Sequence, residues 1–247
     1  KKSIPIVLQE QNSFPGITTR WFSRKANLIC AAFKTDNLKL DNKLVITGNP
    51  IRSNIVSGDR ALALRGYDMD IQKNTLFVFG GSQGSAVLNK SLENIIKKID
   101  AQSTQILWQT GDYDYNKYKK YKNDAIKIVP FINDMAAAYA LSDLVVCRSG
   151  ALTLSEVTIC GKPSILIPFA AAAGNHQLKN AETLYQAGAS ILIEEKDLNS
   201  NKLYKNINYL INNKNILEKM SLAAKALSKP NATKKITNHV IDMVSNV

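Results

Sequence analysis

From Leu76 onward the chain alternates short apolar runs with longer amphipathic ones. Leu76–Phe79, Gln105–Trp108, Ile126–Val129, Leu144–Cys147, Ser164–Ile167 and Ser190–Ile193 are each four residues long and dominated by apolar side chains. Runs this short, bounded by polar and glycine residues, predict strands buried on both faces of a sheet. The stretches between them predict helices over Ser85–Lys98, Tyr113–Tyr121, Asp134–Leu141, Leu152–Cys160 and Gln177–Ala187. Six strands alternating with helices imply a parallel α/β sheet with right-handed crossovers. Upstream, Ile4–Gln9, Asn27–Phe33 and Leu44–Ile46 read as strands, with a helix from Pro15 to about Ala26. Arg60 to Asn74 is charged, holds Gly66 and lacks a clear period, so it is the best candidate for a linker between two units. Beyond Leu198 the pattern is wholly helical. Pro230 sets off a last helix over Lys234–Ser245.

The strand ends carry the candidate chemistry. Arg148–Glu156 reads R-S-G-A-L-T-L-S-E and follows the run Leu144–Cys147. Ser149 and Gly150 allow a tight turn, and a helix starts at Ala151 or Leu152. The first amides of that helix are unpaired and its dipole is positive there, which suits a phosphate. Ser149 and Thr153 can add hydroxyl donors, and Glu156 can accept two hydrogen bonds from a ribose diol. An ordinary strand-to-helix connection capped by a serine fits the same residues.

Further strand ends repeat the theme. Gly80-Gly81-Ser82-Gln83-Gly84 follows a strand and opens a helix, so its backbone can approach a ligand and Ser82 can donate to it. It matches neither G-x-G-x-x-G nor a P-loop. Arg52, just past a strand, suits a diphosphate or a surface ion pair. Phe131 and Ile132 can hold a flat base through the backbone or simply pack in the core. His176-Gln177 and Asn180 bring amides to a helix start after Phe169, with Asn175 as a possible cap. Ligands of open α/β sheets bind at the carboxyl ends of the strands, so these sites together suit base, ribose, diphosphate and sugar.

Composition narrows the class. The 247 residues carry a net charge of +12, and from Lys196 to the end nine lysines face three carboxylates. The lysines are spread over helical surfaces without interleaved aromatics, which argues against nucleic acid and leaves weak attraction to an anionic membrane surface. No apolar run of ~18 residues exists to span a bilayer. Cys30, Cys147 and Cys160 form no disulfide or metal pattern, and the two that sit in apolar runs suit buried thiols of a cytosolic protein. Asp112-Tyr113-Asp114 is a weak D-x-D metal candidate in a Tyr- and Lys-rich loop, and the histidines have no ligand partners. The chain begins at Lys1 and enters a core strand by Ser3, an expectation of a cut inside a domain.

In chain order, E-Q-N-S-F-P-G (Glu10–Gly16), G-N-P-I-R (Gly48–Arg52), G-G-S-Q-G (Gly80–Gly84), P-F-I-N-D-M-A-A-A-Y-A (Pro130–Ala140), R-S-G-A-L-T-L-S-E and H-Q-L-K-N-A (His176–Ala181) resemble the MurG family. These are bacterial transferases that add N-acetylglucosamine to a lipid-linked muramyl-pentapeptide in peptidoglycan synthesis. The resemblance implies an inverting, GT-B type glycosyltransferase with two Rossmann-like domains. It puts 1–52 in the acceptor-side domain and 53–230 in the six-stranded domain for UDP-N-acetylglucosamine. Residues 231–247 would form a helix crossing back. It implies uracil at Phe131 and Ile132 and the ribose on Glu156. Arg52, Ser82 and the turn Ala151–Leu152–Thr153 would hold the diphosphate, with Gln83, Ser149 and Gly150 also among the substrate-binding residues. Gln177 and Asn180 would meet the sugar, with Asn12 near the reacting end. It implies no cofactor or catalytic metal, no nucleic-acid partner, and a peripheral place on the inner leaflet, at the cytoplasmic face of the cell membrane. The family's glycine-rich loop with its histidine is not in this sequence, so no catalytic base is named and the chain alone is expected to bind donor. Ala170–Ala173 is blander than the family pattern. The alternatives are a nucleotide-sugar-binding subunit of a two-chain enzyme and, less well matched, a UDP-sugar epimerase.

Overall fold

The computed structural model describes residues 4–34 and 42–245; Ser3 lies outside them. Two parallel sheets organise the chain. The first contains β1 (Val7–Glu10), β2 (Leu28–Ala31) and β3 (Leu44–Ile46), in the order β1-β2-β3, with α1 (Ile17–Phe22) joining the first pair. The second contains β4 (Asn74–Phe79), β5 (Thr104–Gln109), β6 (Ile126–Val129), β7 (Leu144–Cys147), β8 (Ser164–Leu166) and β9 (Ser190–Leu192). Its order is β6-β5-β4-β7-β8-β9, all parallel. The chain winds outward one way from β4 and then the other way from β7. Connections therefore diverge between those two strands and leave a crevice at their carboxyl ends.

Alternation along the strands builds the core on both faces. Leu76 and Val78 of β4 and Leu144 and Val146 of β7 pack against α3 (Ala86–Glu93), α4 (Asp112–Tyr118) and α8 (Ser200–Ile211). Phe77, Phe79, Val145 and Cys147 face the other way, towards α5 (Met135–Leu141), α6 (Ala151–Ile159) and α7 (His176–Gln186). Every side chain of β7 is buried, which is why that strand reads as an unbroken apolar run. The terminal helices α9 (Lys214–Leu227) and α10 (Ala232–Ser245) close the molecule.

Two expectations fail for identifiable reasons. The proposed linker Arg60–Asn74 contains α2 (Arg60–Gly66), capped by the Asp59 carboxylate, which accepts from Leu62 N at 2.8 Å. Arg60 ties the helix down, donating to Leu141 O at 2.6 Å and pairing with Asp143 at 2.9 Å. Only Ala63 and Leu64 of α2 are buried, too few to print a helical period. Asp112-Tyr113-Asp114 is not a loop either. It opens α4, where its acidic side chains suit the positive end of the dipole, and Asp114 accepts from Asn89 Nδ2 at 2.8 Å.

Candidate functional site

The crevice between β4 and β7 holds a cavity of about 520 Å³. On one side is the Gly80–Gly84 turn; on the other, Arg148, Gly150 and Thr153 at the start of α6; Phe169 and Gln177 complete its rim. Helix α6 begins at Gly150 without a side-chain cap. Its first turn is thus without a side-chain cap at the edge of the cavity that Gly150 and Thr153 line, an arrangement that favours an anion. The serine cap that the sequence left open is not formed. Ser149 is fully buried and donates its hydroxyl to Gln177 O at 2.7 Å, so it neither caps α6 nor offers that proton to the cavity.

The glycine turn needs glycine for steric reasons. A Cβ on Gly84 would lie 2.0 Å from Thr110 O, and one on Gly111 2.3 Å from Gln83 O. Both have positive φ, so the two loops can cross only at these residues. The turn then leads to α3, capped by Ser85, whose hydroxyl accepts from Leu88 N at 3.3 Å.

The other expected residues lie around this centre. Phe131 is 45% exposed at the end of β6, while Ile132 is buried and its N–H donates to Gln109 Oε1 at 2.9 Å. Ala151 is nearly buried and Leu152 is exposed beside the first turn of α6. Glu156, one turn further in, meets Arg52 at 3.2 Å through one oxygen and accepts from Tyr139 OH at 3.2 Å through the other. Burial first, and then the Glu156 charge, push the Tyr139 phenol well up, so it stays a donor to that carboxylate. Burial likewise raises the Cys147 thiol, keeping it protonated beside the cleft. Gln177 accepts from Phe169 N at 3.0 Å. Asn175 stands at φ +56 before α7 and makes no side-chain cap bond. Asn180 is fully buried, and Asn12 accepts from its Nδ2 at 3.0 Å, so these two meet each other.

Two residues without an expected role hold the site together. Gln109 ends β5, donates to Gly81 O at 2.8 Å and accepts from Ile132 N, bridging the glycine turn and the Phe131 segment. Arg148 ends β7. It donates to Ile167 O and Pro168 O, each at 3.1 Å, and to Ser85 Oγ at 2.8 Å. It also pairs with Glu195, whose other oxygen accepts from Ala170 N at 3.0 Å. Both residues are polar side chains at the last position or one past the end of an apolar strand, the one cue the sequence offered. Their partners are far away in the chain and gave none.

An open, doubly wound parallel sheet with an uncapped helix start and a glycine turn at its switch point is a Rossmann-like architecture. A family model described as "Glycosyltransferase family 28 C-terminal domain" matches residues 75–236. The chain is 40% identical to the UDP-N-acetylglucosamine–N-acetylmuramyl-(pentapeptide) pyrophosphoryl-undecaprenol N-acetylglucosamine transferase of Finegoldia magna, covering 99% of this chain and 68% of that protein. The Acetivibrio thermocellus protein of the same name is 37% identical over 100% of this chain and 69% of its own length. The crystal structure of Acinetobacter baumannii MurG superposes with a TM-score of 0.79 at 29% identity, over 99% of this chain and 68% of that one. The chain belongs to this transferase family, the MurG family. A Neisseria meningitidis UDP-GlcNAc 2-epimerase bound to UDP-GlcNAc shares the fold alone, at 14% identity and a TM-score of 0.67, over 97% of this chain and 70% of that one.

Gln109→Leu should leave Gly81 O and Ile132 N without partners and cost about 2–4 kcal/mol of unfolding free energy in urea titration. A midpoint equal to wild type would contradict the bridging role.

Proposed function

We propose that this chain binds UDP-N-acetylglucosamine in the β4/β7 crevice as the donor-binding part of an inverting transferase that moves its sugar to the lipid-linked muramyl-pentapeptide. The observation that carries the reading is the uncapped start of α6 facing the Gly80–Gly84 turn across the cavity. In this reading the diphosphate lies between them, held by those amides, Thr153, Ser82, Gln83 and Arg52. Uracil lies on Phe131 and the backbone at Ile132. The ribose takes the Glu156 carboxylate, displacing Arg52 towards the diphosphate. The sugar points at Gln177 and Asn12. The acceptor hydroxyl attacks the anomeric carbon, the bond to the diphosphate oxygen breaks, and the hydroxyl proton passes to a base. The α6 dipole and the Arg52 cation stabilise the charge that develops on the departing UDP.

The same reading assigns 1–52 to an acceptor-side unit, 53–230 to the donor unit and 231–247 to a helix returning to the first. Close packing of Gly48 supports the return: a Cβ there would fall 2.3 Å from Lys229 Cβ and 3.1 Å from Ala232 Cβ. A lipid-linked acceptor calls for contact with the inner leaflet. Among the described residues no helix is long and apolar enough to cross a membrane, which leaves peripheral contact as the mode proposed. Helix α1 supports it with exposed Ile17, Trp21 and Phe22 next to exposed Arg20, Arg24 and Lys25, an apolar tip in a basic collar.

Calorimetric titration tests the donor site. Glu156→Ala should weaken uridine and UDP alike, by about tenfold, because both use the ribose bonds. Arg52→Ala should weaken UDP and leave uridine unchanged. Wild-type affinity for UDP in Glu156→Ala would overturn the assignment. For the membrane, Trp21→Ala with Phe22→Ala should lower binding to phosphatidylglycerol-containing vesicles at least about fivefold. Equal binding by the variant would rule out α1 as the contact.

A further inference from the structure

The loop that carries Asn12 leaves the first sheet, yet it is fastened to the second unit by two buried carboxamides. Asn49, 2% exposed, follows β3 in the connection between the sheets. Its Oδ1 accepts from Gln9 Nε2 at 3.0 Å, which orients the amide. Its Nδ2 donates to Gln11 O at 3.0 Å and to Ser155 Oγ at 3.1 Å, with Ala151 O at 3.4 Å. Ser155 in turn donates to Ala151 O at 2.9 Å. One side chain therefore spans from the Asn12 loop to the first turns of α6, the helix whose start faces the cavity.

Asn180 does the same on the other flank. Its Oδ1 accepts from Ser13 N at 2.8 Å and Ser13 Oγ at 3.0 Å, and its Nδ2 donates to Asn12. Phe14 completes the seat, with Lys179 Nζ 3.2 Å from its ring centre and His176 Nδ1 3.1 Å from its carbonyl. Amides suit this task because each donates and accepts at once and carries no charge whose burial must be offset.

We propose that Asn49 is a positioning residue that clasps the Asn12 loop onto α6, so that Asn12 stands at the sugar end of the bound donor. The proposal rests on the donor reading given above. Base and ribose are held by the second sheet's own loops and the diphosphate by those loops with Arg52, while the clasped Asn12 loop contributes only beyond the diphosphate. Asn49 therefore supports affinity for the sugar and not for UDP. By linkage, a sugar in place steadies the loop in return.

The test is titration of wild type, Asn49→Ala and Ser155→Ala with UDP and with UDP-N-acetylglucosamine, beside amide hydrogen exchange over residues 11–16. In Asn49→Ala, loop exchange should quicken and UDP-N-acetylglucosamine should bind about tenfold more weakly, with UDP within about twofold of wild type. Ser155→Ala removes one acceptor of the clasp on the α6 side and should move the same readouts less, and it carries the test if Asn49→Ala does not fold. Equal weakening of both ligands, or of neither, overturns the clasp. Absence of UDP binding in folded wild type overturns the donor reading beneath it.

Discussion

Helix α6 starts with backbone amides that no side chain satisfies, and it does so at the point where the sheet changes winding direction. Unmet donors and a positive dipole end are costly without a partner, so the surrounding chain is arranged around them. The glycine turn after β4 comes close because Gly84 and Gly111 let two loops cross where a Cβ would strike a carbonyl. Ser149, just before the Gly150 N-cap, turns its hydroxyl to Gln177 O and leaves the amides open. The site is thus made by backbone geometry, and its side chains mostly hold that geometry in place.

Buried carboxamides recur as the holding groups. Gln109 joins two cleft loops, Asn49 and Asn180 join the first sheet's loop to the second unit, and Asn89 accepts from Trp108 Nε1 at 2.9 Å while donating to Thr110 O at 2.8 Å. The buried Arg148 of the cleft floor bonds to Ile167 O, Pro168 O, Ser85 and Glu195, the satisfaction a buried guanidinium requires. These bonds link segments distant in sequence, which is how loops from different strands acquire a common geometry.

That distance also explains what was legible in the sequence. All six strands of the second sheet could be read, with ends off by a residue or two, because strands buried on both faces are apolar runs. The strand-end positions of Ser82, Phe131, Ser149–Glu156 and Gln177 followed from the same pattern. Helix α2 was missed because its buried side amounts to Ala63 and Leu64. The roles of Gln109, Asn49 and Arg148 were not legible because a polar residue's partner across the fold leaves no local trace. Ser149 and Asn180 looked like ligand donors for the same reason: composition reports a hydrogen-bonding group, and only the fold reports where its bonds go.

The most direct test of the account is where UDP protects the backbone. Hydrogen exchange with and without saturating UDP should slow at 80–85, 131–132 and 148–156, the loops leaving β4, β6 and β7, with the amino ends of the strands unchanged. Protection instead at those amino ends, around Lys73 and Lys162, where a separate cavity of about 660 Å³ opens, would contradict it.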